Sequence, residues 1–326
     1  GTTTQRTSPT LIGTSTWKAI AAGAFHSLGI RADDSLFAWG YNNYGQLGDG
    51  TTTTRYSPTL IGSCTWKAVA AGSLHSLGIR ADDRLLGWGY NESGQIGDGT
   101  TKDRTSPTLV GSCTWKSIAV GEYHSLGIRS DDRLLAWGNN YYYQLGDGTT
   151  ISQASPKLIG TCTWKAIAAG YYHSMGIRGD GRLLAWGGNG WGQLGDGTTT
   201  SRSSPQIIGS STWKSIAGGG GHSIGIRSDD CIMAWGKNSA GELGDGTTIA
   251  RYYPTLSLAN ALDPGAIGLH TAILYGNCMY NCSDYQIVMR RTEDYSIANR
   301  ITLSGAMRPY SVIRSGNTLF VAARGS

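Results

Sequence analysis

The chain has 326 residues, a formal net charge of +5, 15% charged residues and 49 glycines, about twice the usual glycine share. Its 11 Trp and 17 Tyr exclude a disordered chain, which carries few aromatics. No apolar run approaches the roughly 18 residues of a membrane span, and no Lys/Arg block forms a nucleic-acid tail, so membrane insertion and charge-driven nucleic-acid binding are set aside.

The N-terminal GTTTQRTSPT lacks the charged and apolar regions of a signal peptide, and a removed signal would leave no trace. WKAIAA (17–22), HSLGIR (26–31) and LFAWG (36–40) follow, then the loop GYNNYGQLGDG and the run SPTLI (57–61). Each run is short, rich in β-branched and aromatic residues, and bounded by Gly, Asp, Asn or Thr, which predicts strands. RADDS (31–35), RADDR (80–84) and RGDGR (178–182) read as tight hairpin turns. Gly181 replaces the second Asp there, which predicts a positive φ at that position. GTST is expected to turn between SPTLI and the next WKA strand.

The pattern then repeats every 49 residues. Trp17, Trp66, Trp115, Trp164 and Trp213 share this spacing, as do Trp39, Trp88, Trp137, Trp186 and Trp235, and the five GDG tripeptides starting at Gly48. A period near 50 indicates a solenoid or propeller. Four antiparallel strands per period make a propeller blade. GLHTAILYGNCMY (268–280) reads as a degraded sixth copy, and YSVIRSGNTLFVAARG (310–325) as a partial seventh. GTTTQRTSPTL at 1–11 matches GTTTTRYSPTL at 50–60, so the termini are expected to share a blade. The prediction is an all-β, seven-bladed propeller over 1–326. Regular repeats cover 1–255 and irregular blades 256–326. The strand 319–325 should pair near 8–12 or 17–22 and close the ring.

Cys64, Cys113 and Cys162 occupy one repeat position. Neighbouring blades would hold them beyond the roughly 7 Å Cα limit of a disulfide, so small buried free thiols are expected. Cys231, Cys278 and Cys282 fall outside that register and leave one pairing open.

The motif W-x-x-[IV]-x-x-G-x-x-H-[ST]-x-x-[IL], followed by L-x-x-W-G-x-N-x-x-G-Q-[LI]-G-D-G, resembles the repeat of the regulator of chromosome condensation family, nearest its tubulin-suppressor-like and bacterial or viral branches. The resemblance is strong over 1–255 and weak over 268–325. It implies a propeller fold but no single function, since members serve as exchange factors, ligase modules, photoreceptors, surface proteins and phage parts. Exchange on a small GTPase would imply an inserted wedge. Only 281–309 is irregular enough to be one. The Trp residues here are blade framework, not a photoreceptor cluster.

The repeated His26, His75, His124, His173 and His222 stand one per unit with no carboxylate or Cys at ligand spacing. They are expected to hydrogen-bond backbone between strands, not to hold metal. Asp49, Asp98, Asp147, Asp196 and Asp245 are expected to cap their own GDG turns, since the alternating ligands of a calcium loop are absent. GQLGDGTT lacks the G-K-[ST] of a phosphate loop, and no nucleophile or metalloprotease motif occurs. No enzyme chemistry and no cofactor is predicted.

Two sites vary among the repeats. The corner before the His reads AF, SL, EY, YY and GG. The loop after WG reads YNNY, YNES, NNYYY, GNGW and KNSA. Strand order puts both on one face, opposite the RADD turns. The variable positions collect Phe25, Tyr41, Tyr44, Tyr90, Tyr123, Tyr141, Tyr142, Tyr143, Tyr171, Tyr172 and Trp191. Folding gives solvent-facing loops no reason to gather rings, whereas Tyr and Trp suit recognition. The alternative is local packing over neighbouring blades. The expected function is a scaffold recognising a protein or glycan at a cell surface, in secretion or on a virion; the alternative is exchange factor or adaptor for a small GTPase. Oligomeric state is open.

Overall fold

The computed structural model describes residues 1–257 in full and, beyond them, the backbone of 271–275, 278–283, 286–291, 297–302, 307–315 and 318–325. Every element described is a strand. They are β1 (Trp17–Ala22), β2 (His26–Arg31), β3 (Ser35–Gly40), β4 (Arg55–Ala71), β5 (His75–Arg80), β6 (Arg84–Gly89), β7 (Arg104–Val120), β8 (His124–Arg129), β9 (Arg133–Gly138), β10 (Gln153–Ala169), β11 (His173–Arg178), β12 (Arg182–Gly187), β13 (Arg202–Gly218), β14 (His222–Arg227), β15 (Ile232–Gly236) and β16 (Arg251–Leu256). The later strands are β17 (Thr271–Tyr275), β18 (Cys278–Ser283), β19 (Gln286–Arg291), β20 (Ile297–Thr302), β21 (Met307–Ser315) and β22 (Thr318–Gly325).

The chain divides into two compact units, one holding Gly1–Ser228, Met233–Leu243 and Thr247–Thr255, the other Asp229–Ile232, Gly244–Gly246 and Leu256–Ser326. In the first, each repeat forms a four-stranded antiparallel blade. In the first blade β1 pairs with β2, β2 with β3, and β3 with the opening half of β4 through Phe37↔Leu60 and Ala38↔Thr59. The closing half of β4 then pairs with β5 through Val69↔Gly78. One 17-residue strand therefore serves two blades. This corrects the expected GTST turn. In the later copies, 62–65, 111–114, 160–163 and 209–212, the chain stays extended and is redirected by a single glycine with positive φ, at Gly62 (60°), Gly111 (59°), Gly160 (61°) and Gly209 (61°).

Cross-strand chemistry explains why glycine recurs in HSLGIR. A Cβ on Gly29, Gly78, Gly127, Gly176 or Gly225 would strike the ring of Trp17, Trp66, Trp115, Trp164 or Trp213 at 2.4 to 2.6 Å. Each Trp lies across the neighbouring strand, and a small bulge just after it sets its register. The second repeated Trp meets the first edge-on, as in Trp66 and Trp88 with centroids 5.6 Å apart. Such a pair adds about 0.5–1.5 kcal/mol beyond area burial.

The core lies between blades. Leu28, Ile30, Leu36 and Leu47 of the first repeat pack with Ile61, Trp66, Leu86 and Trp88. The next cluster joins Leu77, Ile79 and Leu85 to Val110, Trp115, Leu135 and Trp137. Because both sheet faces are covered, the middle strands are buried along nearly their whole length and do not alternate.

The predicted positive φ is found at the hairpins: 67° at Asp34, 66° at Asp83, 65° at Asp132, and 86° at Gly181. Cys64 and Cys162 are exposed and Cys113 is half-buried, so these free thiols are not the buried ones expected. They sit on the extended inter-blade segment, where side chains face outward. Cys231 is buried. The pairing of Cys278 and Cys282 lies outside the described residues.

In the second unit β17 to β20 form a four-stranded antiparallel meander, and β21 pairs with β22. Residues 286–291 and 297–302 are strands, as β-branched content in QIVMRR and IANRIT favours. Within this unit the strand 319–325 pairs with its neighbour β21, through Val312↔Val321 and Ile313↔Phe320. Residues 1–16 carry no strand.

Candidate binding face

The loops that follow the WG strands are built on one buried asparagine each. Asn42 Nδ2 donates to Asp49 Oδ1 (3.2 Å), Thr51 O (3.0 Å) and Thr53 O (3.1 Å), while its Oδ1 accepts from Leu47 N (2.9 Å). Asn91, Asn140 and Asn189 repeat the pattern. Asp49 accepts from the amide and hydroxyl of Thr51 and from Arg55 Nε at 2.7 Å. The expected turn-capping role of this Asp is found, with an ion pair added. In the third loop Lys157 replaces the Arg, 2.7 Å from Asp147. These bonds hold the Asp49, Asp98, Asp147 and Asp196 carboxyls below the usual carboxylate range, against the opposing pull of burial.

The same loops fasten each blade to the next. Gln46 O accepts from Trp88 Nε1 (2.9 Å) and Ser76 Oγ (2.8 Å), both of the following repeat. Ser76 Oγ also meets His26 Nε2 at 2.8 Å. The serine hydrogen goes to Gln46 O, so His26 Nε2 donates and its Nδ1 is bare. The relay recurs through His75–Ser125–Gln95, His124–Ser174–Gln144 and His173–Ser223–Gln193. The expected backbone partner of the His is thus a serine hydroxyl, which carries the bond on to backbone. Burial pushes His26 down to about 4 and His75, His124 and His173 down to about 3. His222 is lowered for the same first reason. Among the described residues no cluster of His, Cys, Asp and Glu could hold a metal.

On this frame the corner and the loop meet, with Tyr41 N donating to Phe25 O at 2.9 Å. Phe25, Tyr41, Tyr44, Tyr90 and Tyr123 form one chain of rings, with successive centroids 6.1, 6.4, 5.1 and 6.1 Å apart. Tyr141, Tyr142, Tyr172 and Tyr171 form a second, at 4.9, 4.8 and 6.3 Å. Trp191 stands apart beneath Lys237 Nζ, 5.9 Å from its ring centre. Tyr143 joins neither chain; it takes the positive-φ position, at 63°, that Gly45, Gly94 and Gly192 hold elsewhere. Phe25, Tyr141, Tyr142, Tyr171 and Trp191 are exposed, and the others are half-buried. The rings both pack on one another and face solvent.

The two variable corner residues have different tasks. The second, such as Phe25, Tyr123 or Tyr172, enters the ring chains. The first, at Ala24, Ser73, Glu122, Tyr171 and Gly220, lines a cavity of about 270 Å³ where the inner strands of all five blades converge. Glu122 is the site residue that sequence reasoning missed. Its signal was a lone acid where the other repeats carry Ala, Ser, Tyr and Gly. On the opposite face the charges pair locally, as in Lys67–Asp83 (2.6 Å) and Lys116–Asp132 (2.5 Å), and Arg129 pairs with Asp131.

Four-stranded antiparallel blades, packed face to face and joined by shared strands, define an all-β repeat scaffold. The regulator of chromosome condensation (RCC1) repeat matches residues 33–79, 82–128, 131–177 and 180–226, and a second description of that repeat matches 17–46, 66–95, 115–144, 164–193 and 213–242. The chain belongs to the RCC1 repeat family. Human WBSCR16 is similar in structure, with a TM-score of 0.67 at 24% identity over 73% of this chain and 66% of that one. Yeast RCC1 (Prp20), solved bound to Kap60, gives 0.66 at 18% identity over 90% and 77%. Prp20p from Saccharomyces cerevisiae, described with its binding to Gsp1p and histones, gives 0.65 at 18% over 90% and 79%. At these identities the likeness carries the fold. No helix among the described residues is long and apolar enough to cross a membrane.

Proposed function

We propose that this chain is a non-catalytic recognition scaffold, a single seven-bladed propeller over 1–326 that binds a protein or glycan through the ring-bearing face. The count rests on five regular blades, the meander β17–β20 and the hairpin β21–β22 in chain order. The observation that carries the function is the exposure of Tyr141 and Trp191 on loops whose backbone is tied down by buried Asn and Asp, with Tyr171 exposed on the adjoining corner. Rigid aromatic anchors bind with little ordering cost, and a few of them carry most of an interface's energy. A partner at a cell surface, in secretion or on a virion fits the low charge and short loops. The second reading, an adaptor or exchange factor for a small GTPase, draws on the binding of Prp20p to Gsp1p. Its wedge would have to come from 281–309, within which 286–291 and 297–302 are strands.

The triple variant Tyr142→Ala/Tyr172→Ala/Trp191→Ala should lose at least tenfold affinity, about 1.4 kcal/mol, for a partner found in a glycan and protein screen. The control Arg129→Ala/Asp131→Ala removes both members of an exposed ion pair and should bind as wild type. A folded triple variant with unchanged affinity sinks the reading. Capture of a GTPase in nucleotide-free form by both variants would move the assignment to the second.

A further inference from the structure

We propose that the central cavity of this face takes an arginine side chain of the protein partner, with Glu122 as its counter-charge and the neighbouring tyrosines as its walls. The inference rests on the recognition reading above and adds the chemistry of what is recognised.

Glu122 and Tyr171 line the cavity with Ala24, Ser73 and Gly220, so small residues leave the opening clear on three sides. Backbone of Gly23, Gly72, Gly121, Gly170 and Gly219 forms much of the remaining wall. Glu122 is the single charged residue in that lining. Burial first, then charge and hydrogen bonding from the Glu122 carboxylate, raise the Tyr123 and Tyr172 phenols, Tyr172 to about 12, so part of this carboxylate is engaged by the tyrosine hydroxyls. Yet Glu122 Oε2 is buried and has no hydrogen-bond partner among the described residues. A carboxylate oxygen shut off from water without a donor is costly, and a cation that reaches it recovers that cost.

The other glutamates described on these loops have partners. Glu92 accepts from the Tyr90 hydroxyl, and Lys237 lies over Trp191 with Glu242 at 3.5 Å. Glu122 is the one charged side chain lining the opening among the described residues. A guanidinium fits better than an ammonium. It is planar, donates in a fork matched to a carboxylate, and stacks on aromatic faces such as the half-exposed Tyr171 ring. It also keeps its charge on leaving water more readily than a strongly hydrated ammonium.

The probes are N-acetyl-arginine amide, N-acetyl-lysine amide and the neutral isostere N-acetyl-citrulline amide, titrated against the full chain with tyrosine resonances as readout. Arginine amide should shift Tyr123, Tyr171 and Tyr172 with a Kd at least tenfold below that of citrulline amide. Glu122→Gln should abolish that difference while the chain stays folded, since the amide keeps an oxygen to accept from the Tyr123 and Tyr172 hydroxyls. Should Glu122→Gln fail to fold, Glu122→Ser places at this site the side chain that Ser73 already carries there. Equal binding of arginine and citrulline amides, or wild-type arginine binding by Glu122→Gln, overturns the proposal. Lysine binding as tightly as arginine overturns the guanidinium assignment. Either failure, with the triple alanine variant still losing its partner, leaves the recognition face standing without this site.

Discussion

Lowering the pH from 7 to 5 should cost the chain about 7–8 kcal/mol of stability, enough to unfold an ordinary domain. The source is the His–Ser–Gln relay. In the folded chain His26, His75, His124 and His173 stay neutral down to about 4 or about 3, because burial disfavours the charged ring. Their bare Nδ1 atoms are buried without partners, so a proton placed there would be an unanswered donor. In the unfolded chain each ring takes a proton below its ordinary value of 6.5. The unfolded state therefore binds more protons between pH 6.5 and the folded values, and stability falls with pH across that window. Each ring contributes about 2 kcal/mol between pH 7 and 5. The carboxylates act in a separate window, since Asp82 and Asp131, held down to about 2 by Arg80 and Arg129, matter only below the usual carboxylate range. Urea unfolding at pH 7, 6 and 5 should show the loss directly. His124→Gln should cost about 1–2 kcal/mol at pH 7, the scale of a lost buried bond, and reduce the pH slope by one proton. Stability that is flat between pH 7 and 5 would show that the folded rings accept protons at little cost.

The repeat made much of this architecture readable in advance, but it hid the contacts between repeats. Period, strand limits, the positive φ at Gly181 and the Asp cap each leave a mark within one copy. The His26–Ser76 bond does not. It joins residues 50 apart in a pattern that recurs every 49, so bonding within a blade and between blades predicts the same sequence. The Trp88–Gln46 bond is masked in the same way. GTST misled because a lone glycine among small polar residues is a turn signal. Here Gly62 bends a strand without ending it, and a Cβ there would meet nothing within 4 Å. Exposure of the free thiols leaves no mark either, since Cys and Ser share one repeat position. That position lies on the inter-blade segment, where GSCT of β4 is exposed throughout. At the face, the rings were legible as composition on loops. Their linkage across blades, from Tyr44 to Tyr90 and from Tyr142 to Tyr172, depends on blade spacing that no single copy records.

Gly146→Ala should lower stability by about 2–5 kcal/mol, while Gly160→Ala should lower it by only about 1–2. Both glycines hold left-handed backbone, with φ of 74° and 61°. An alanine at either site carries the same backbone strain, which cancels in the comparison. The surroundings differ. A Cβ on Gly146 would lie 2.7 Å from both Cδ1 and Nε1 of Trp186, whereas one on Gly160 would meet nothing within 4 Å. Trp186 cannot yield, because it is fully buried and its Nε1 donates to Gln144 O at 3.0 Å. That carbonyl also accepts from Ser174 Oγ, which meets His124. Pushing the indole outward therefore strains the whole joint between the third and fourth blades, and the excess of about 1–3 kcal/mol is the cost of overpacking a site that cannot relax. The measurement is chemical denaturation of both variants at pH 7, above the window in which the imidazoles titrate. Equal losses would mean that the GDG glycine is kept for its backbone alone, and that the indole has room the structure does not show. A larger loss at Gly146 would place the role of this glycine in the seam between blades, where the core itself lies.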